Sequence, residues 1–190
     1  MRLLIACLLT LTLAGCDKQK PAAPQGGEVP RTPTPTAEFT PSRGPAAKAP
    51  TASFKDAAGK SLSLAAFHGR PLLVNLWATW CAPCIAEMPS IDRLAASEKG
   101  RLTVVAVSQD SNGLAAVQPF FAKAGIKTLA PYLDTENALM AAVKAETLPT
   151  TILYDANGHE RWRHAGKVDW DDHAARAALA DTLAGKPVAS

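Results

Sequence analysis

Hydrophobic and polar positions divide this chain into two N-terminal blocks and one long region of alternating periods. The first block, Leu3 to Leu13, is apolar and follows a single charge, Arg2. A permanent membrane helix needs about 20 apolar residues, so this run is too short. A basic start, a short apolar core and small residues after it predict a secretory signal over residues 1–15. The second block, residues 16–50, holds eight of the fifteen prolines and one aromatic residue, Phe39. It has too little apolar surface to offset the entropy of ordering, and its prolines favour a semi-extended spacer of about 3 Å per residue. The expectation is a disordered tether ahead of a globular domain at 51–190.

Within that domain the periods alternate. Phe54 to Leu64 reads as a hairpin turning at Gly59. Pro71 to Trp77 is a short, almost wholly apolar run, as buried central strands are. Apolar residues at Cys84, Ile85, Met88, Ile91 and Leu94 then recur at helical spacing, with a kink expected at Pro89. Leu102 to Val107 is a second buried strand. Leu114 to Ala124 is a helix with Gly125 past its end. A short strand (Leu129 to Leu133) and a helix (Glu136 to Val143) form an inserted unit. Thr150 to Tyr154 and His159 to His164 are strands joined by an Asn157-Gly158 turn. A last helix starts near Asp169 and runs to about Leu183, with Asp172 completing a capping box. Strands alternating with helices, then a closing hairpin and helix, predict an α/β fold with a mixed central sheet flanked by helices.

The net charge of +3 comes with no basic cluster interleaved with aromatics, which excludes nucleic acid as the partner. The four cysteines change the picture more. Leu13-Ala14-Gly15-Cys16 resembles a bacterial lipobox, in which the signal is cut before the cysteine and the cysteine is lipidated. Lipid on Cys16 would hold the protein to a membrane without spanning it. Asp17 in such proteins often means retention at the inner membrane. The competing reading is an ordinary signal that leaves Cys16 as a free thiol, a liability in an exported protein. Under the lipoprotein reading Cys7 leaves with the signal, and Cys81 and Cys84 are the remaining thiols. One closely spaced pair cannot staple a fold, so it points to chemistry.

Cys81 is expected at the first position of the helix that follows the central strand. A helix N-terminus carries partial positive charge and stabilises a thiolate, the reactive form. Cys84 lies three residues on, on the same face, close enough for a disulfide. Cys81 is then the accessible sulfur that attacks, and Cys84 the buried one that resolves the mixed disulfide. Structural zinc needs four ligands. His159 and His164 have ligand-like spacing but sit on a hairpin strand, and all four histidines read as surface or turn residues.

WATWCAPC with its leading strand, Pro89 five residues after Cys84, and Leu148-Pro149-Thr150 together resemble the thioredoxin superfamily. The inserted strand–helix unit and the lipobox are similar to its TlpA/ResA branch of membrane-tethered thiol–disulfide oxidoreductases. The resemblance implies a thioredoxin-like fold, a cis proline at Pro149 facing the disulfide, and no cofactor. It implies disulfide-containing exported proteins as substrates, such as apocytochrome c or copper-site proteins. It also implies a membrane thiol carrier as electron donor, and a location on the periplasmic side of the inner membrane. Asn75 stands where thioredoxin has a buried acid. Glu87 matches an active-site glutamate of ResA-like proteins and would exchange a proton with Cys84, whereas the residue pattern alone reads it as a solvated helix glutamate. Trp80, Pro83, Leu148 and Pro149 are the expected docking surface for partners, with Trp77 in the core.

Proline at position 83 offers no N–H to a Cys81 thiolate, and no histidine stands there as it does in strong oxidants of the superfamily. Less thiolate stabilisation predicts a reductant. Two alternatives remain at this level: a thiol peroxidase of the same fold, or a Cu(I)-binding metallochaperone or binding module with the thiols as soft ligands.

Overall fold

The computed structural model describes residues 39–43 and 46–186. Its elements in chain order are β1 (Ser42–Arg43), β2 (Phe54–Asp56), β3 (Ser61–Leu62), a 3-10 turn (Leu64–Phe67), β4 (Leu72–Trp77), α1 (Ala82–Ser97), β5 (Thr103–Ser108), α2 (Leu114–Ala124), β6 (Tyr132–Leu133), α3 (Ala138–Ala142), β7 (Thr150–Tyr154), β8 (Glu160–Ala165) and α4 (His173–Leu183). The strands form one sheet in the order β1-β8-β7-β4-β5-β6-β2-β3. It is mixed, as expected: β4 runs parallel to β5 and antiparallel to β7.

β4 is buried at every position because both faces of the sheet are covered. Side chains alternate across a strand. Leu73 and Trp77 therefore meet Met88, Ile91 and Leu94 of α1, Phe121 of α2 and Leu179 of α4. Leu72, Val74 and Leu76 point the other way, toward Leu64 of the 3-10 turn and Leu139 of α3. Fully burying such side chains is worth about 1.5–3 kcal/mol each, so no polar alternation survives along this strand. Asn75 shares a side with Leu73 and Trp77 and is the polar exception.

The hairpin turns where the sequence places it. Asp56 accepts from the N–H groups of Ala58 and Lys60, both at 2.9 Å, and Gly59 has φ +79°. Leu64 belongs to the 3-10 turn rather than to the hairpin. α1 continues through Pro89 as one 16-residue helix, and Asp92 on it is buried. Its carboxylate accepts from the backbone N–H groups of Lys127, Thr128 and Leu129 at 2.8–3.1 Å, which ties α1 to the approach to β6. The cap of α4 differs from the expected one. Asp172 accepts from Ala174 and Ala175, whereas Asp169 accepts from Asp171. The acid adjacent to the helix reaches its free N–H groups; the earlier one closes a turn.

The expected tether boundary at residue 50 needs correction. β1 lies within that segment and pairs with β8, Ser42 opposite Arg163 and Arg43 opposite Trp162. Lys48 bridges to His159. The Phe39 ring sits 5.4 Å from Trp162, 5.2 Å from His164 and 5.8 Å from Trp170. An open strand edge takes a short proline-flanked strand regardless of that strand's own composition, and one ring covers an aromatic cluster. His164 is consequently buried, not a surface residue, and desolvation lowers its pKa while the Thr40 carbonyl oxygen, 3.4 Å from Nδ1, opposes the shift. The signal, most of the tether and Cys16 lie outside the described residues. Among the described residues no helix is long and apolar enough to cross a membrane.

Phe39→Ala should destabilise the domain by about 1–3 kcal/mol, read as a lower denaturant midpoint at unchanged slope. A chain beginning at residue 51 loses β1 as well and should unfold at a lower midpoint still. Equal midpoints for all three would mean that residues 39–50 add nothing to the fold.

Candidate active site

β4 delivers the chain to a short loop, Ala78 to Trp80, and α1 begins directly after Cys81. Cys81 is the N-cap, with extended backbone, and its sulfur accepts from the Cys84 N–H at 3.3 Å. The first two helical positions are Ala82 and Pro83, so a proline removes the N–H at one of the places where the helix end is otherwise free. Cys81 and Cys84 form a disulfide with Cα atoms 5.2 Å apart. Cys81 thus stands one residue ahead of its expected helical position. It is only 6% exposed, against 1% for Cys84, so access favours Cys81 by a narrow opening rather than by full exposure.

The loop before Cys81 is held by Asp110, just past the end of β5. The Thr79 N–H and hydroxyl donate to its two carboxylate oxygens at 2.9 and 2.6 Å, and the Ser108 hydroxyl donates at 2.7 Å. The neighbouring Gln109 N–H donates to the Trp77 carbonyl at 2.8 Å. The ends of two parallel strands are thereby stitched together beneath the disulfide.

Behind the disulfide, Glu87 is buried on α1, one turn beyond Cys84. Its Oε1 accepts from the Trp170 indole N–H at 2.7 Å and from the Asn75 amide at 3.5 Å; Oε2 has no hydrogen-bond partner. Asn75 also donates to the Thr151 hydroxyl at 3.1 Å. Burial pushes the carboxyl pKa up from its usual 4.5 to about 8, opposed chiefly by the Trp170 hydrogen bond and then by the Val168 backbone and the Lys167 charge. Glu87 is therefore not the solvated helix glutamate that periodicity alone describes. Its hydrogen bonds run to Trp170 and Asn75, and Cys84 is its neighbour along the helix face.

In front of the disulfide lies an open groove of about 770 Å³. Trp80, Cys81 and Pro83 line it together with Asn137, Met140, Glu146 and Leu148. Trp80 is 69% exposed and Trp77 fully buried, as their positions predict. The peptide bond from Leu148 to Pro149 is cis, and Thr150 locks the approach by donating to the Thr147 carbonyl at 2.7 Å. The fold thus brings Trp80, Cys81, Pro83 and Leu148 to one opening, with Cys84 and Glu87 beneath it. Among the described residues no group of three His, Cys, Asp or Glu side chains could hold a metal ion.

Three contributors escaped the sequence reading. Asp110 and Gln109 lie just past a buried strand parallel to the one that feeds the cysteines, and sites in α/β sheets gather at such carboxyl ends. That rule would have pointed to both. Trp170, a lone large aromatic between acidic residues in VDWDD, carried a weaker sign of a buried role.

Residues 45–179 match the Redoxin family. Thioredoxin-like protein YneN of Bacillus subtilis is 32% identical over 121 residues, covering 64% of this chain and 71% of YneN. Thiol-disulfide oxidoreductase ResA of Geobacillus kaustophilus is 30% identical over 125 residues, covering 65% of this chain and 71% of ResA. Among solved structures, one described as a thiol:disulfide interchange protein DsbE from Chlorobium tepidum superposes with TM-score 0.65 at 26% identity, over 75% of this chain and 99% of that one. With a bonded cysteine pair at the head of α1 and a cis proline before β7, the chain belongs to the Redoxin family as a TlpA/ResA-like thiol–disulfide oxidoreductase of thioredoxin fold.

Proposed function

We propose that this oxidoreductase is held by lipid on Cys16 to the periplasmic side of the inner membrane and reduces disulfides of exported proteins. The carrying observation is the Cys81 sulfur at the α1 N-cap, bonded to Cys84 and opening onto the groove beside Leu148. In the reduced protein the Cys81 thiolate attacks one sulfur of a substrate disulfide. A Cys81–substrate disulfide forms and the other substrate sulfur leaves as a thiolate, which takes up a proton. The Cys84 thiolate then attacks Cys81, the substrate's remaining sulfur leaves, and the Cys81–Cys84 disulfide closes. Two electrons pass to the substrate. A membrane thiol carrier restores the dithiol, because the exported compartment is oxidising.

Several features support the reductive direction. Pro83 offers no N–H to the Cys81 sulfur, and the Cys84 N–H is the backbone donor that reaches it. A poorly stabilised thiolate favours the disulfide form of this protein and hence electron donation. Glu87, pushed up to about 8 by burial, matches a thiol in proton affinity and serves to exchange a proton with Cys84. The lipobox and the proline-rich segment support the tethering. Oxidised apocytochrome c and copper-site proteins, each with closely spaced cysteines, are the proposed substrates.

In cells making a Cys84→Ser variant, exported proteins should accumulate as mixed disulfides on Cys81, released by dithiothreitol. Adducts that persist in a Cys81→Ser, Cys84→Ser double variant would overturn the assignment. Pro83→His, which restores an N–H and adds an ionisable ring, should move the pair's potential toward the oxidising side in redox titration; an unchanged potential would remove the argument for a reductant. The third expectation concerns pH. Because Glu87 is raised in the folded state, only the unfolded chain ionises it between about pH 4.5 and 8. Stability of the oxidised protein should therefore fall as pH rises through that window, and Glu87→Gln should flatten the fall. Parallel denaturation curves for the two proteins from pH 5 to 8 would show that Glu87 is not held protonated.

A further inference from the structure

Asp110 is a buried carboxylate, 4% exposed, with a role in neither the sulfur exchange nor the core. The hydrogen bonds of its side chain converge on the Cys81 loop and the strand end beside it. The Thr79 N–H and the Ser108 hydroxyl donate to Oδ2 at 2.9 and 2.7 Å, and the Thr79 hydroxyl donates to Oδ1 at 2.6 Å. Its own N–H donates to the Ser108 hydroxyl oxygen at 3.0 Å. Among the described residues none of the ion pairs includes Asp110. The charge is met by dipoles alone. Burying a carboxylate is costly even when it is hydrogen-bonded, and for holding a threonine a neutral amide would do.

What a neutral amide lacks is the charge, and the charge has a target. Thr79 is two residues from Cys81, so their Cα atoms are at most about 7.6 Å apart. Between them the chain turns into the positive end of α1. That end favours a thiolate on Cys81; an anion behind the same loop disfavours it.

We propose that Asp110 is a positioning residue that clamps the Cys81 loop through Thr79 and, by its charge, raises the cost of the Cys81 thiolate, which keeps the cysteine pair reducing. The inference rests on Cys81 being the attacking sulfur. It assigns to Asp110 the counterweight to the helix end: the thiolate is destabilised, so the disulfide form is favoured and the pair gives electrons away more readily. Other titratable groups near the cysteines include Glu87 on α1, which burial keeps largely uncharged at neutral pH, with Lys167 acting on it, and Glu146 lining the groove. Asp110 differs from them in being bonded directly to the loop that carries the nucleophile.

Two nearly isosteric substitutions separate charge from clamp. In Asp110→Asn the amide still accepts at one oxygen and donates to the Thr79 hydroxyl, so the loop is held without the charge. Alkylation of reduced Cys81 by iodoacetamide, followed against pH by mass spectrometry, should show a lower thiol pKa and a thiolate fraction at pH 7 roughly threefold to tenfold higher. Thr79→Val keeps the charge and loses one arm of the clamp; it should slow reduction of a model disulfide several-fold without lowering the Cys81 pKa. An Asp110→Asn protein that folds and titrates as the parent does, or a Thr79→Val protein with the parent's exchange rate, overturns the proposal. Should the parent protein alkylate first at Cys84, the reading of Cys81 as nucleophile fails instead, and the two failures are distinct.

Discussion

The junction between β4 and α1 governs everything else in this molecule. An extended chain must stop, turn and enter a helix within a few residues, and the residue at the turn must satisfy a free backbone N–H. Here a sulfur does so: the Cys81 side chain accepts from the Cys84 N–H at 3.3 Å, the place an oxygen takes in an ordinary N-cap. The local need of the helix and the reactivity of the thiol are one interaction. The sulfur that caps the helix is the sulfur that the helix end polarises, and its bonding partner is the residue whose N–H it accepts.

The surrounding structure holds that junction from three sides. Below it, β4 is clamped between β5 and β7, with its side chains buried on both faces. Beside it, Asp110 and Gln109 fasten the loop to the end of β5. Behind it, Asn75 and Trp170 hold the Glu87 carboxyl in a dry pocket, and Trp170 is itself packed by Phe39. Residues ahead of the expected domain boundary are therefore connected, ring by ring, to the group behind the disulfide. In front, the inserted unit contributes Asn137 and Met140 to the lining of the groove that Trp80 also lines.

Charge is arranged with comparable economy. Two buried carboxyls lie near the cysteines, and their surroundings differ. Glu87 is held by Trp170 and Asn75, and burial pushes it up to about 8. Asp110 receives three donated hydrogen bonds on its two oxygens. The first suits proton exchange at neutral pH; the second suits a fixed field.

Much of this was written in local order along the chain. The apolar run to Trp77, the Cys81-Ala-Pro-Cys84 spacing and the helical period after it determine a buried strand feeding a thiol pair at a helix start, because each depends only on neighbours within a turn or two. The hairpin at Gly59 and the Asn157-Gly158 turn were legible for the same reason. The burial of Glu87 that raises its pKa, the burial of His164, the clamp of Asp110 on Thr79 and the docking of Phe39 were decided by the tertiary structure alone. Each joins residues 31 to 131 positions apart, and the desolvation and hydrogen bonding that set their chemistry come into being only when those distant segments share one interior.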